Sequence, residues 1–188
     1  MEVGKMPDKY TIDPNHSRIE FSAKHLMVTT VRGHFTEFTG EVELADDADL
    51  TTAQGKFAFQ AASLDSGNPD RDTHLRSDDF LGAQKYPQLT FESTRIEKTG
   101  DSTYRVTGDL TIRETTRPVT LDVEVEGQLV DPWGNERVGV TARGKINRKD
   151  WGLNWNMALE AGGVMVSDNV NLVAEVALVR KAAVPAIV

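Results

Sequence analysis

Apolar and polar residues alternate along most of this chain with a period of two. In residues 104–112, the even positions are Tyr104, Val106, Gly108, Leu110 and Ile112, while the odd positions are all polar. Such alternation is typical of a β-strand with one buried face and one hydrated face. The same pattern predicts about eight strands, at residues 18–28, 31–44, 54–63, 88–96, 104–112, 119–125, 138–146 and 169–179.

One of these segments, residues 31–44, changes phase in its middle. Val31, Gly33 and Phe35 share one parity, whereas Phe38 and Gly40 share the other. The change around residues 36–37 predicts a β-bulge that re-aims the strand.

The connections between the strands are mostly short, which favours consecutive antiparallel pairing. Residues 131–134 carry Asp, Pro and Gly at the first, second and fourth positions of a type I turn. A meander of such half-hydrated strands can form a sandwich or close into a barrel, and closure removes the exposed sheet edges. We therefore predict an all-β fold, an eight-stranded antiparallel β-barrel with a short helical insert.

A barrel of this size is either filled by side chains or wide enough to hold one small ligand. Small residues at predicted inward positions favour the hollow alternative, because they leave space that a packed core would have to fill. The other interpretation is that they accommodate bends and taper. These residues are Ala23, Gly33, Gly40, Ala61, Gly108, Ala142, Gly144 and Ala174.

The insert, residues 63–91, interrupts the strand pattern. It opens with turn-forming residues 65–69 and then places charged residues around Leu75, Phe80 and Leu81. We predict one or two short helical turns, capped by Asp72 or Ser77 and ended by Gly82. The insert is either a lid over one end of the barrel or only a connector, and we favour the lid.

Composition narrows the classes of function. Lys and Arg number 21 against 29 Asp and Glu, and this net charge of −8 disfavours nucleic-acid binding. The absence of cysteine excludes disulfides, thiolate metal sites and cysteine nucleophiles. There is no apolar run of the length of a signal peptide or a membrane span, so we expect a cytoplasmic protein that does not span a membrane.

An ordered series of short motifs resembles the YceI-like family. The resemblance covers residues 10–180, between a segment at residues 1–9 and a tail at residues 181–188 that we expect to be flexible. It implies a lipocalin-like barrel, in a family whose members bind long isoprenoid lipids, such as polyprenyl diphosphates or quinones, inside it. The motifs are Tyr10-Thr-Ile-Asp13, His16-Ser17, Gly33-His-Phe35, Ser63-Leu-Asp65, Arg71-Asp-Thr-His-Leu75, Asp79-Phe80, Tyr86-Pro87, Thr90-Phe-Glu-Ser93, Gly108-Asp-Leu-Thr-Ile112, Pro118-Val119, Ile146-Asn-Arg148 and Asp150-Trp-Gly152.

Two sets of residues are candidates for contacting such a lipid. Arg71, His74 and Arg76 are candidates for the headgroup, although neighbouring aspartates could instead tie them to the insert. Aromatic and leucine side chains are candidates for the apolar pocket, with ordinary core packing as the alternative for each. These are Phe21, Phe35, Phe57, Phe59, Leu75, Phe80, Phe91, Trp151 and Trp155.

The four histidines give no sign of a reaction centre. His16, His25, His34 and His74 lack the spacing of an HExxH zinc site, and there is no G-x-S-x-G nucleophile motif. We therefore predict no catalytic residue, no metal site and no cofactor other than a bound isoprenoid lipid or quinone.

Together these features predict a non-enzymatic protein that binds, sequesters or transports a long isoprenoid or similar amphiphilic lipid. One alternative is an enzyme that uses His and Asp or Glu as acid and base on an apolar substrate in the barrel. Another is an interaction module that uses its outer faces. The headgroup, the chain length and the oligomeric state, including a dimer, are left open.

Overall fold

A computed structural model describes residues 8–46, 49–160 and 162–180. Within these ranges the chain forms one α-helix, α1, four short 3-10 helices and a single sheet of 11 strands. The helix spans Pro69–Arg76. The strands are β1 Asp8–Ile12, β2 Arg18–His25, β3 Thr29–Phe35, β4 Phe38–Leu44, β5 Ala53–Gln60, β6 Leu64–Asp65, β7 Gln88–Lys98, β8 Thr103–Ile112, β9 Thr115–Val130, β10 Glu136–Asn147 and β11 Val166–Arg180.

The sheet closes on itself as an eight-stranded antiparallel β-barrel, so the predicted fold is confirmed. Three of the eight walls are bent strands that the secondary structure divides in two: β1 with β2, β3 with β4, and β5 with β6. β2 pairs with β3, while β1 pairs with β4. β11 completes the ring, because it pairs with β10 on one side and with β2 and β1 on the other.

The bend between β3 and β4 lies where the sequence changes phase. The backbone NH of Thr36 donates to the Ser63 carbonyl at 3.1 Å, and the NH of Glu37 donates to the Ser63 hydroxyl at 3.0 Å. Ser63 belongs to the turn Ala61–Ser63 that links β5 to β6. The two neighbouring walls therefore bend at the same level, and Ser63 of one wall accepts the backbone hydrogen bonds at the bend of the other.

Two strands differ from the prediction. β1 lies at residues 8–12, where only Tyr10 and Ile12 are apolar and alternate, which is too short a pattern to detect. Two of its residues fall within the segment expected to be flexible, while residues 1–7 and the tail at 181–188 lie outside the described residues. β9 extends to Val130, beyond the predicted end at residue 125.

The β9–β10 hairpin shows why that extension was missed. A β-bulge interrupts the pairing between Gly139 and Val140, and beyond it the inward parity of β9 changes. At the tip, the NH of Gly134 donates to the Asp131 carbonyl at 2.9 Å, as expected for the predicted turn.

Aromatic rings of neighbouring strands fill the space beside several inward glycines. A Cβ at Gly33 would overlap the ring of Phe21, and one at Gly40 would overlap Phe57. Gly108 bears the same relation to Phe91. The small residues thus seat large rings flat against the wall, as in aromatic rescue of glycine within sheets. These glycines therefore do not leave empty space themselves, and the reason that we gave for a hollow barrel was wrong.

We expect Gly108→Ala to lower the free energy of unfolding by about 1–3 kcal/mol, as overpacked sites do. A Cβ at this position would lie 2.6 Å from the Glu92 carbonyl oxygen and against the Phe91 ring. The matched control is Gly127→Ala in β9, because a Cβ there meets no atom within 4 Å. Urea unfolding of both variants measures the difference, and equal stability of the two would contradict this packing.

Candidate functional site

The barrel encloses a cavity of about 510 Å³. Its wall is made by inward residues of every barrel wall, and most of them are aliphatic or aromatic. Val106, Leu121 and Leu172 face inward yet are only half-buried, because they border this space. No large side chain of the described residues is fully buried, which is unusual for a close-packed interior. The barrel is therefore hollow, as the sequence predicted.

Few polar groups interrupt the apolar wall. The described lining residues include Ser93, Gln128, Glu136, Tyr10 and Tyr104, but no Lys, Arg or His. The Ser93 hydroxyl already accepts a hydrogen bond from the backbone NH of Gly55 at 2.8 Å. The cavity is thus suited to an apolar body with a small polar end.

The cavity reaches solvent at the end of the barrel where β9 turns into β10. Gln128 lines the cavity and is itself exposed, and Glu136 on the facing strand lines it too. We call this end, framed by residues 128–136, the mouth. Its hairpin exposes three apolar side chains: Leu129 at 59 %, Val130 at 69 % and Trp133 at 78 %.

Two arginines at the mouth are each held by two carboxylates. Arg180 forms ion pairs with Asp8 and Glu136, and the Gln128 side-chain amide donates to the same Glu136. Arg137 lies 3.0 Å from Asp13 and 2.9 Å from Asp131. Both guanidinium groups are therefore already neutralised, and in this set of described side chains four carboxylates face two arginines.

Asp131 ties the mouth hairpin together. Its carboxylate accepts hydrogen bonds from the backbone NH groups of Trp133 at 3.0 Å and Asn135 at 2.9 Å. Desolvation by burial raises its pKa, but the hydrogen bonds from Arg137, Asn135 and Trp133 outweigh burial and lower the pKa to about 2. Asp131 is only 6 % exposed, so this network sits inside the hairpin rather than on its surface.

The opposite end of the barrel is closed. Phe35, Leu89, Ile112 and Ile146 form its inner layer, and all are buried. Leu81 of the insert packs onto the same core cluster. Since every side chain of this layer is buried, the cavity does not reach solvent here.

Arg148 holds the outer layer of the closed end together. Its guanidinium is 3 % exposed and donates to the carbonyls of Leu153 at 2.6 Å, Trp155 at 2.8 Å and Ser167 at 3.0 Å. Burial lowers the pKa of Arg148, and Asp168 partly offsets that effect. The segment between β10 and β11, whose alternation resembles a strand, instead forms a loop with a single bridge between Ala158 and Val164.

The helix α1 of the insert is capped by a residue that precedes it. The Asn68 side chain, rather than Asp72 or Ser77, caps the start of α1 by accepting from the NH of Arg71 at 3.0 Å. Asp72 is buried and accepts from the backbone NH of Ser66 at 2.9 Å. The prediction was wrong for Asp72, because this aspartate bonds to the turn before the helix. Ser77 is the C-cap of α1, and its hydroxyl accepts from the NH of Asp79 at 3.4 Å in the turn that follows.

The structure divides the apolar candidates into two groups. Phe35, Phe57, Phe59 and Phe91 line the cavity. Phe21 does not, although its ring packs 5.8 Å from that of Phe35.

The other four apolar candidates, Leu75, Phe80, Trp151 and Trp155, belong to the closed end and are not among the residues that line the cavity. Trp151 donates from its indole nitrogen to the Leu110 carbonyl at 2.9 Å, which fixes it as part of the closure.

The three headgroup candidates also lie in the insert, away from the mouth. Arg71 donates to the hydroxyl and the carbonyl of Ser66, both at 2.7 Å. Arg76 donates to the Leu64 carbonyl, and His74 lies 2.9 Å from Asp79 with its ring against Trp155. The alternative to headgroup binding was a tie to neighbouring aspartates, and of the three only His74 shows one, whereas Arg71 and Arg76 donate to Ser66 and Leu64. The role in headgroup binding stays a prediction.

Sequence reasoning missed most of the aliphatic wall and all of the mouth. Inward parity in β8, β9 and β11 could have found the aliphatic residues, including Val106, Leu121, Val123, Leu172 and Val176. Gln128 could not have been found, because its inward direction depends on the bulge.

Two histidine–carboxylate pairs among the described residues lie outside the cavity lining. His16 lies 2.8 Å from Asp13 and His74 lies 2.9 Å from Asp79, and neither pair lines the cavity. Among the described residues, no group of three or more His, Cys, Asp or Glu could hold a metal ion. In the same part of the chain, no helix has the length and apolar character needed to cross a bilayer.

A second hollow, of about 600 Å³, lies on the outer side of β1, β4, β5 and β7. Its lining includes Lys56, which pairs with Glu92 at 3.0 Å. Because this hollow is an outer surface that carries a solvated ion pair, we assign the candidate site to the interior of the barrel.

Comparisons of the sequence with family models and with known proteins point to the same family. A family model described as a YceI-like domain matches residues 10–178. A UPF0312 protein of Staphylococcus epidermidis is 40% identical over 163 residues, which cover 86% of this chain and 92% of the relative.

Two solved structures share the fold. The Campylobacter jejuni YceI protein is 31% identical with a TM-score of 0.74, covering 85% of this chain and 90% of that one. A polyisoprenoid binding domain from Saccharophagus degradans is 15% identical with a TM-score of 0.65, covering 92% and 98% respectively.

The Asp131 network should stabilise the folded protein at neutral pH and lose this effect in acid. The folded-state pKa of about 2 lies below the usual value near 3.8, so this contribution is fully present above about pH 4 and is lost as the pH falls towards 2. Asp131→Asn should therefore be less stable than the wild type at pH 7, and the difference should shrink between pH 4 and 2. Urea unfolding across this range measures it.

The matched control for this comparison is Asp101→Asn, at an exposed position in the β7–β8 turn. Its difference from the wild type should stay small and nearly independent of pH. A constant difference for Asp131→Asn down to pH 2 would contradict the assigned network.

Proposed function

The chain belongs to the YceI-like family, and from this premise we propose that it binds a long isoprenoid or similar amphiphilic lipid in the interior of its barrel. The single observation that carries this proposal is the closed barrel with an apolar cavity of about 510 Å³ and one mouth among the described residues. Ligand pockets typically have volumes of ~300–1,000 Å³. The polyisoprenoid binding domain from Saccharophagus degradans, which shares the fold, is a supporting precedent.

The binding energy in this proposal comes from the tail of the lipid. Burial contributes about 25 cal/mol per Å² of apolar area, before the entropic costs of binding. The tail lies against Phe57, Phe59 and Phe91 and the aliphatic residues of β8 to β11. Polyprenyl diphosphates and quinones are the ligand classes that the family resemblance suggests, and the role is sequestration or transport without a chemical step.

The mouth is the route of exchange in this proposal, since the lining residue Gln128 is exposed there. The insert then acts as a plug of the opposite end, held by Leu81 and by the hydrogen bonds of Arg71 and Arg76. A lid that opens for exchange stays a prediction, and it would require the buried layer around Leu89 and Ile112 to separate.

Native mass spectrometry of the gently purified full chain should show a bound lipid of several hundred daltons. Organic extraction should remove it, and the apoprotein should take up an added prenyl lipid at a ratio of one to one. A protein that carries no lipid and takes up none, with an intact barrel by circular dichroism, would contradict the proposal.

A bulky side chain directed into the cavity should displace the ligand without unfolding the barrel. Ala174 and Ala142 face each other across β10 and β11, and both line the cavity. Ala174→Phe should weaken binding of a prenyl lipid by about tenfold or more, the equivalent of roughly two buried methylenes at ~0.8 kcal/mol each.

The matched control is Ala58→Phe, on the outer face of β5 between the inward residues Phe57 and Phe59. It adds the same ring to the same kind of strand but should leave binding unchanged. If both variants bind the lipid equally well, the ligand does not bind in the barrel interior.

A further inference from the structure

The tip of the β9–β10 hairpin, residues 127–135, presents apolar side chains to solvent on all sides. Leu129, Val130 and Trp133 are largely exposed. Consecutive residues of a strand point to opposite faces, so Leu129 and Val130 make both faces of the hairpin apolar, while Trp133 lies in its turn. A protein partner covers one face of a hairpin, whereas apolar groups on both faces and at the apex suit a medium that surrounds the tip.

The tip extends beyond the neighbouring strand on one side, at the same end as the mouth. β8 pairs with β9 only as far as Thr103 opposite Glu124. Residues 126–130 therefore extend past β8, by about 16 Å at a rise of about 3.3 Å per residue. Gln128, within this extension, lines the cavity, so the apolar tip and the opening of the cavity lie side by side.

The tip exposes almost no charge. Charged residues make up 27% of the chain, but the only one in residues 127–135 is Asp131. Asp131 is buried, and its carboxylate lies 2.9 Å from the guanidinium group of Arg137. Moving the tip out of water therefore removes water from no exposed charged group of the tip.

The turn also satisfies its own backbone donors. The NH of Asp131 donates to the Asn135 carbonyl at 2.8 Å, and the NH of Gly134 donates to the Asp131 carbonyl at 2.9 Å. The NH groups of Trp133 and Asn135 donate to the Asp131 carboxylate. Pro132 has no NH, so every backbone donor of the turn has a partner inside it. Because an unpaired NH is costly in apolar surroundings, this arrangement lets the turn leave water.

The size of the apolar surface favours a bilayer over a protein partner. A standard protein interface buries about 800 Å² on each partner. An aromatic side chain buries only about 150–250 Å², and two of the three apolar side chains of the tip are smaller than tryptophan. The tip therefore falls short of a protein interface. A bilayer sets no such minimum, and tryptophan is enriched where membrane meets water.

We propose that the tip inserts into the surface of an uncharged lipid bilayer, with Trp133 at the level of the headgroups, and holds the mouth against it. The bilayer is uncharged or zwitterionic, because the tip offers no free cation to anionic lipids and the net charge of the chain is −8. The docking itself does not depend on the ligand of the cavity. Its consequence, a short path for a lipid between bilayer and cavity, rests on the proposed function.

Sedimentation of the full chain with phosphatidylcholine vesicles tests the docking. Trp133→Ser should lower the partition coefficient by about tenfold or more, and Val130→Ser by about fourfold, the effect of one buried methylene. The matched control is Val28→Ser, which should leave the coefficient unchanged. Val28 is 78% exposed against 69% for Val130, but it lies in the β2–β3 turn at the closed end, where the NH of Leu26 donates to the Met165 carbonyl.

Fluorescence gives a second readout that a change in folding would not reproduce. Phosphatidylcholine with a spin label near its headgroup should quench Trp133 in the bound protein. Trp133→Phe should still bind the vesicles but lose this quenching, because Trp151 and Trp155 lie at the closed end. The partition coefficient should change little with salt, and phosphatidylglycerol in the vesicles should not raise it.

Uptake of a prenyl lipid from the vesicles connects the docking to the proposed function. Trp133→Ser should slow this uptake by about the factor by which it lowers vesicle binding. The equilibrium affinity for the lipid should stay unchanged, because Trp133 does not line the cavity.

The outcomes separate this inference from the proposed function. Absence of vesicle binding, equal losses for Val130→Ser and Val28→Ser, or a requirement for phosphatidylglycerol would each overturn the docking. Self-association that Trp133→Ser abolishes, without vesicle binding, would overturn it too and assign the tip to a second copy of the chain. If vesicle binding depends on Trp133 but no prenyl lipid is taken up, the docking surface stands and the proposed function fails.

Discussion

The closed ring of backbone hydrogen bonds is the constraint on which the rest of the structure depends. Because β11 pairs with β10 on one side and with β1 and β2 on the other, the ring has no free edge and its circumference is fixed. A ring of eight walls is near the width at which inward side chains just reach across. Aliphatic residues of ordinary size on the inner face then leave a space in the middle, and that space is the candidate site.

Glycine and aromatic residues cooperate to keep that space open. The rings of Phe57 and Phe91 line the cavity and lie over Gly40 and Gly108. A ring that extended into the cavity would occupy its centre. The glycine on the neighbouring strand has no side chain, so the ring can pack against the sheet instead. The small residues therefore contribute to the hollow interior through the rotamers of their neighbours.

The alternation of residues predicted the antiparallel strands and favoured the barrel, which the family resemblance also implied. Four of the nine pocket candidates, all phenylalanines, line the cavity, whereas Phe21 shares the inward parity and does not. Parity assigns Phe35, Phe57, Phe59 and Phe91 to the inner face, and closure of the barrel makes that face the wall of the cavity. Parity says nothing, however, about residues outside strands. Phe80 and Trp151 are as apolar as the cavity residues, but a loop and an insert carry them to the closed end, where their contacts are tertiary.

The mouth was beyond sequence reasoning for a related reason. The direction of Gln128 depends on a bulge whose position is set by pairing with the next strand. The acceptors of Arg71 and Arg76 include backbone carbonyls, which leave no trace in the residue types. The insert was therefore assigned headgroup chemistry that its charges suggested. At the mouth, by contrast, long stretches of chain separate Arg137 from Asp13, and Arg180 from Asp8 and Glu136.

The two ends of the barrel use arginine in opposite ways, and this explains why only one of them opens. At the closed end, Arg148 is buried against neutral carbonyls, and burial lowers its pKa. At the mouth, burial also acts against Arg180, but the hydrogen bonds of Asp8 and Glu136 outweigh it and raise the pKa. Opening the closed end would break the hydrogen bonds from Arg148 to the carbonyls of Leu153, Trp155 and Ser167 together, because one guanidinium group makes all three. The mouth needs no such separation, because its charged side chains are already paired around the rim, where Gln128 lines the cavity and is exposed.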